Sequence, residues 1–123
     1  MTPDRQRRER WGRRAETIAA LWLMLKGYRI LARRVRNRRG EIDIVARTGR
    51  ILVFVEVKAR RDLDAADAAF RPAARRRVAR ASEPLFARYG GGCDGTRFDA
   101  VVVRPWRRPI HLIDAWRGDD DGH

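Results

Sequence analysis

One cysteine, Cys93, occurs in 123 residues, which excludes an internal disulfide and a cysteine-based zinc cluster. Histidine is almost as scarce, and neither His111 nor His123 has a partner at metal-ligand spacing. Long hydrophobic runs are missing too. The longest, Ile18 to Leu25 (IAALWLML), has eight residues, against about 18 for a bilayer-spanning helix. No small-residue cleavage site follows it, so neither a membrane span nor a secretory leader is expected. Lysine is nearly displaced by arginine: Lys26 and Lys58 are the only lysines among 29 basic residues. A lysine in such a chain is marked for what arginine lacks, a compact ammonium whose pKa can shift.

What is present is positive charge. The formal net charge is +13, and 44% of residues are hydrophobic, enough for one domain with a single core. Residues 1–40 carry 13 basic and 3 acidic side chains, and residues 71–89 carry 6 and 1. Between them, residues 41–70 are close to neutral, with 5 basic and 6 acidic groups. Two basic blocks thus flank a segment with its own carboxylates. The composition predicts a cytoplasmic protein that binds a polyanion, most simply nucleic acid, and not a membrane. Arginine-flanked carboxylates suit a nuclease, in which arginines hold phosphates and carboxylates hold a metal.

The pattern predicts an α/β protein, a mixed central sheet flanked by helices in the order α-β-β-β-α-β-β. Residues 1–10 read as a flexible basic segment, 11–116 as the single domain, and 117–123 as a disordered acidic tail. A helix is expected from Trp11 to Lys26 with Ala15, Ile18, Leu21, Trp22 and Leu25 as its apolar stripe, ended by Gly27. Strands follow at Tyr28–Val35, Glu41–Ala46 and Ile51–Lys58. Residues 60–71 read as a connection. A second helix runs from Pro72 to Tyr89, with Ala74, Val78, Ala81, Leu85 and Tyr89 on one face, before strands at Phe98–Arg104 and Ile110–Ala115. The tryptophans Trp11, Trp22, Trp106 and Trp116 offer base-stacking surfaces, or else fill the core and cover sheet edges.

The second and third strands carry the chemistry. With Gly49-Arg50 as a two-residue turn, Asp43 falls opposite Glu56 and Glu41 opposite Lys58 on one face, while Ile42 and Ile44 share the other. Like charges directly opposite destabilise a hairpin unless a positive group lies between them. Mg²⁺ or Mn²⁺ meets that need with hard oxygen ligands. Solvated carboxylates neutralised by arginines meet it equally well on this pattern alone.

Asp43, twelve residues, then Glu56-Val57-Lys58 resembles the PD-(D/E)xK nuclease signature. More specifically, GEIDIVAR at 40–47 and LVFVEVKAR at 52–60 resemble the YraN-like family of small bacterial proteins. Gly12-x-x-x-Glu16, Gly27-Tyr28-x-Ile30-Leu31 and Arg97-Phe98-Asp99 extend the resemblance over about residues 11–115. It implies a restriction-endonuclease-like core similar to Holliday junction resolvases, and a metal-dependent DNA endonuclease acting on branched or junction DNA. By the same resemblance, Asp43, Glu56 and the Val57 carbonyl are metal ligands, Lys58 orients water and phosphate, and Glu16 assists. Glu16 also suits a helix start for its dipole alone. Glu41 either tunes Lys58 or ends its strand. Arg33, Arg34, Arg36, Arg38, Arg39, Arg75, Arg76, Arg77 and Arg80 are the expected phosphate contacts, and a resolvase-like fold is compatible with a homodimer. Ala74 stands where the family tends to carry lysine. Two other readings fit the residues: a non-catalytic nucleic-acid-binding protein on the same fold, and an accessory subunit of a DNA-processing assembly.

Overall fold

A computed structural model of the chain describes residues 3–60 and 72–116. Helix α1 (Pro3–Leu25) precedes strands β1 (Arg29–Asn37), β2 (Gly40–Thr48) and β3 (Ile51–Ala59). Helix α2 (Pro72–Tyr89) then leads to β4 (Gly95–Val103) and β5 (Ile110–Trp116). The strands form one mixed sheet in the order β1-β2-β3-β4-β5, with β3 and β4 parallel and the other neighbours antiparallel. The α/β class and the element order agree with the sequence reading. The acidic tail and nearly all of the connection before α2 lie outside the described residues.

Local chemistry sets the corners. The 18-residue α2 opens on Pro72, whose missing N–H would have no helical partner there anyway. Helix α1 ends in a Schellman arrangement, with Tyr28 N–H donating to the Leu23 carbonyl at 2.9 Å and Gly27 N–H to Met24 at 3.0 Å. Gly27 there has φ 93°, a value side chains resist. The β2–β3 turn is the expected two-residue loop: Thr48 pairs with Ile51, and Gly49 has φ 56° at the first position.

The first helix differs from expectation at both its start and its buried face. It begins at Pro3, eight residues before the expected Trp11. Its buried residues are Ala15, Glu16, Ala19, Ala20 and Leu23, whereas Leu21 and Leu25 are 54% and 83% exposed. Small side chains let the helix backbone approach the sheet, and the bulkier stripe is left outside. Ala15, Ala19, Ala20 and Leu23 pack on Ile44, Val53, Val55, Val101 and Val103. On the opposite face, Val78, Ala81 and Leu85 of α2 pack on Val45, Leu52, Phe54, Phe98, Ala100 and Val102.

One irregularity positions the site. Ile42 and Ile44 should share a face by strand alternation, yet Ile44 packs under α1 and Ile42 under α2. In β1, Ala32 and Val35 likewise lie on one face despite their odd spacing. The two slips are opposite each other: Arg33 pairs with Ile44 and Val35 with Ile42, while Arg34 and Asp43 between them drop out of the ladder. Arg34 adopts φ 54°, which turns the chain over at that point. The end of the β1–β2 hairpin is thereby swung toward α2, where Asn37 Nδ2 donates to the Ala81 carbonyl at 2.9 Å.

Candidate active site

The β2–β3 ladder stops at Ile44–Val55, one pair short of Asp43 and Glu56. The expected direct facing of these carboxylates is therefore replaced by a different bond. Asp43 Oδ2 accepts the backbone N–H of Val57 at 2.8 Å, so its side chain takes the place of a strand acceptor where β2 leaves β3. Glu56 and Lys58, two residues apart on β3, lie on one face, with Lys58 Nζ 3.1 Å from Glu56 Oε1. The expected Glu41–Lys58 pairing does not form. Glu41 instead meets Arg36 at 3.4 Å near the open end of the hairpin.

Electrostatics bind the group together. Burial, then the neighbouring Glu56 charge, push the Asp43 carboxyl up to about 7, with Glu16 adding to the rise. The Val57 N–H and Lys58 oppose the rise without cancelling it. Asp43 is thus a carboxylate whose charge lacks sufficient compensation, the electrostatic condition that a cation relieves. Asp43, Glu56, Val57 and Lys58 line a cleft of about 610 Å³ together with Arg36, Asn37, Arg38, Arg39 and Val78.

Glu16 reaches this region from α1, buried to 8% exposure, and is engaged by two arginines. Arg34 Nε lies 3.0 Å and Arg33 Nε 3.4 Å from Glu16 Oε1, and Arg33 also donates to Thr17 Oγ1 at 2.9 Å. The left-handed backbone at Arg34 accompanies this inward ion pair. Two of the arginines expected on phosphates are therefore held by Glu16. Arg39 is paired with Glu83, and Arg36 with Glu41. Arg38, Arg76 and Arg80 are exposed and have no carboxylate partner among the described residues. The side chains of Arg75 and Arg77 lie outside the described residues.

A divalent cation would find two carboxylates, Asp43 and Glu56, but no group of three or more His, Cys, Asp or Glu residues suited to a metal exists among the described residues. Two carboxylates are a sufficient protein contribution for Mg²⁺, which keeps several waters and completes its shell with substrate phosphate. The donor chemistry therefore fits a hard divalent cation that keeps part of its own water shell.

A second polar cluster was not legible as a unit from spacing. Asp99, with no exposed surface, accepts two bonds from Arg97 at 2.8 and 2.7 Å, one from Asp114 N–H at 2.9 Å, and contacts His111 Nε2 at 2.7 Å. Arg97 also reaches the Tyr28 hydroxyl at 2.6 Å, and Lys26 Nζ lies 2.5 Å from His111 Nδ1. The available signal was an aspartate inside the apolar strand FDAVVV, where an unpaired charge is untenable. The cluster fills the break in β4–β5 pairing between Phe98 and Ala100.

No helix among the described residues is long and apolar enough to cross a membrane. Residues 15–103 match the family described as "Uncharacterised protein family UPF0102". A UPF0102 protein from Rhizorhabdus wittichii is 53% identical over 110 residues, covering 89% of this chain and 93% of that protein. One from Parvibaculum lavamentivorans is 53% identical over 109 residues, 88% of this chain and 82% of its own length. A third, from Caulobacter vibrioides, is 49% identical over 108 residues, 87% of this chain and 86% of its own.

Proposed function

The chain belongs to the UPF0102 (YraN-like) family, and we propose that Asp43, Glu56 and Lys58 form the active site of a metal-dependent endonuclease hydrolysing phosphodiester bonds in DNA. The observation that carries this reading is the raised, incompletely compensated Asp43 carboxyl beside Glu56, with the scarce Lys58 3.1 Å from Glu56. Asp43, Glu56 and the Val57 carbonyl would hold Mg²⁺ or Mn²⁺. The bound cation supplies charge neutralisation at the phosphate and a more acidic water. Lys58 would orient an attacking water and stabilise charge growing on the phosphate oxygens. Glu16 holds Arg33 and Arg34 in place behind Asp43. Arg38, Arg76 and Arg80 track the backbone, which positions the duplex without reading its sequence.

The test is cleavage of branched, duplex and single-stranded DNA in Mn²⁺ by the wild type, Asp43→Asn and Glu56→Gln. Wild-type cleavage lost in both variants supports the reading, and no cleavage on any substrate overturns it. The second reading, a non-catalytic DNA-binding protein, is favoured by one observation: among the described residues no group of three or more His, Cys, Asp or Glu side chains is placed to hold a metal. It predicts DNA affinity with no metal-dependent change in melting.

A further inference from the structure

A larger groove, about 1160 Å³, lies on the α1 face at the ends of β3 and β4. Its walls are Trp11, Arg14 and Ile18 of α1, Ala59 and Arg60 at the end of β3, Val103 at the end of β4, and residues 104–108 of the loop into β5. The volume exceeds the ~300–1,000 Å³ of small-molecule sites. Trp106 is fully exposed on this loop, with φ 59°, a backbone conformation that a bulky side chain adopts only when its surroundings impose it. A tryptophan kept wholly in water leaves a large apolar ring without a partner to bury it. Five of the lining residues are arginines and none is acidic. Among them, Arg104 has its Nε shielded from water with no acceptor among the described residues.

Aromatic faces set among arginines suit bases and phosphates of an unpaired strand better than a stacked duplex, whose base faces are covered. The groove also adjoins the proposed active site. Lys58 lines the cleft, and Ala59, the next residue on β3, lines the groove on the other face of the sheet. Cleft and groove thus meet at consecutive residues of one strand.

We infer that this groove binds a single-stranded arm of the DNA, with one base stacked on Trp106, so that the substrate is a duplex bearing an unpaired extension. The inference rests on the endonuclease reading of the cleft, and its test is independent of cleavage. Affinity is measured by fluorescence anisotropy in EDTA for a blunt duplex and for the same duplex carrying an oligodeoxythymidylate arm. Trp106→Ala, which removes no buried contact, is expected to weaken binding of the armed duplex about tenfold and leave the blunt duplex unchanged, while Trp106→Phe restores most of the loss. An equal effect on both DNAs, or on neither, overturns the inference. So does tighter binding of an oligouridylate arm than of the DNA arm. Trp106-dependent self-association in sedimentation, without a change in DNA affinity, assigns the groove to a second copy and also overturns it. Loss of the groove's role leaves Mn²⁺-dependent cleavage by the wild type standing. Absence of that cleavage with arm binding retained removes the endonuclease reading instead.

Discussion

Asp43 Oδ2 accepts the Val57 N–H across the point where β2 and β3 cease to pair, at 2.8 Å. The bond holds a poorly compensated carboxylate beside Glu56. Mn²⁺ or Mg²⁺ should therefore raise the melting temperature by binding the folded state. In Asp43→Asn the side-chain carbonyl still accepts from Val57, and the repulsion is gone. The variant should melt higher than wild type in EDTA and lose most of the metal-dependent rise. A calorimetric scan with and without Mn²⁺ checks both halves, and a variant less stable in EDTA contradicts the account.

The same carboxyl dictates a pH dependence. Its folded-state pKa, about 7, lies above the ordinary 3.8, so between these values the folded state holds a proton that the unfolded chain has released. The contribution of Asp43 to stability is then lost steadily as pH rises from about 4 to about 7, and levels off above. Asp43→Asn should remove this downward slope in EDTA. Melting temperature against pH for the two proteins is the measurement.

Lys58→Arg should lower cleavage about a hundredfold while DNA affinity and folding stay near wild type. The partly buried Lys58 ammonium lies 3.1 Å from Glu56 as a compact point charge, and a planar guanidinium presents its donors in a different geometry. Single-turnover cleavage in Mn²⁺ together with anisotropy separates the two effects. Wild-type turnover in the arginine variant would reduce Lys58 to one more positive charge.

DNA affinity should fall with salt along a log–log slope of about −5, for about six neutralised phosphates. Arg38→Ala, Arg76→Ala and Arg80→Ala should each make the slope shallower by about 1. Arg34→Ala should leave it nearly unchanged and lower the melting temperature, since Arg34 is committed to the buried Glu16. A salt titration of the four variants distinguishes phosphate contacts from the internal ion pair.

Asp99 presents the opposite pH behaviour. Despite burial, the Arg97 guanidinium, His111 and the Asp114 N–H hold its carboxyl down at about 2. Its stabilisation is complete above the unfolded value near 4 and lost as pH falls from about 4 toward 2. Asp99→Asn leaves Arg97 without its charge partner and should cost about 3–5 kcal/mol. Denaturant unfolding at neutral pH gives the value, and a loss below 1 kcal/mol would contradict the network's structural weight.

Much of this was legible because it is local. Strand alternation and the Gly49 turn determine the β2–β3 register from Thr48–Ile51 to Ile44–Val55, and the apolar face of α2 follows from its period. The expected buried stripe of α1 failed because hydrophobicity favours Leu21 and Leu25, whereas close packing on the sheet favours the alanines. The slip at Arg34 and Asp43 has no signal in either strand alone, since it depends on two distant residues leaving the ladder together. The Asp99 cluster brings Lys26 and Tyr28 from one stretch and His111 from another to the Arg97–Asp99 strand, and no spacing rule reaches across these three parts of the chain.

The breaks in strand pairing also limit what the sheet can join. Both outermost strands are irregular: β1 shifts register between Ile30 and Ala32 and turns over at Arg34, and β5 is interrupted opposite Asp99, with Asp114 at φ 56°. The outer strand β1 further carries Arg29, Arg33, Arg34 and Arg36, all exposed. A kinked, like-charged border is a poor template for another chain's backbone. Growth of the sheet by edge addition, the first step toward fibrils and toward strand-exchanged oligomers, is thus discouraged at both ends. The five-stranded sheet is thus poorly suited to take on a further strand at either border.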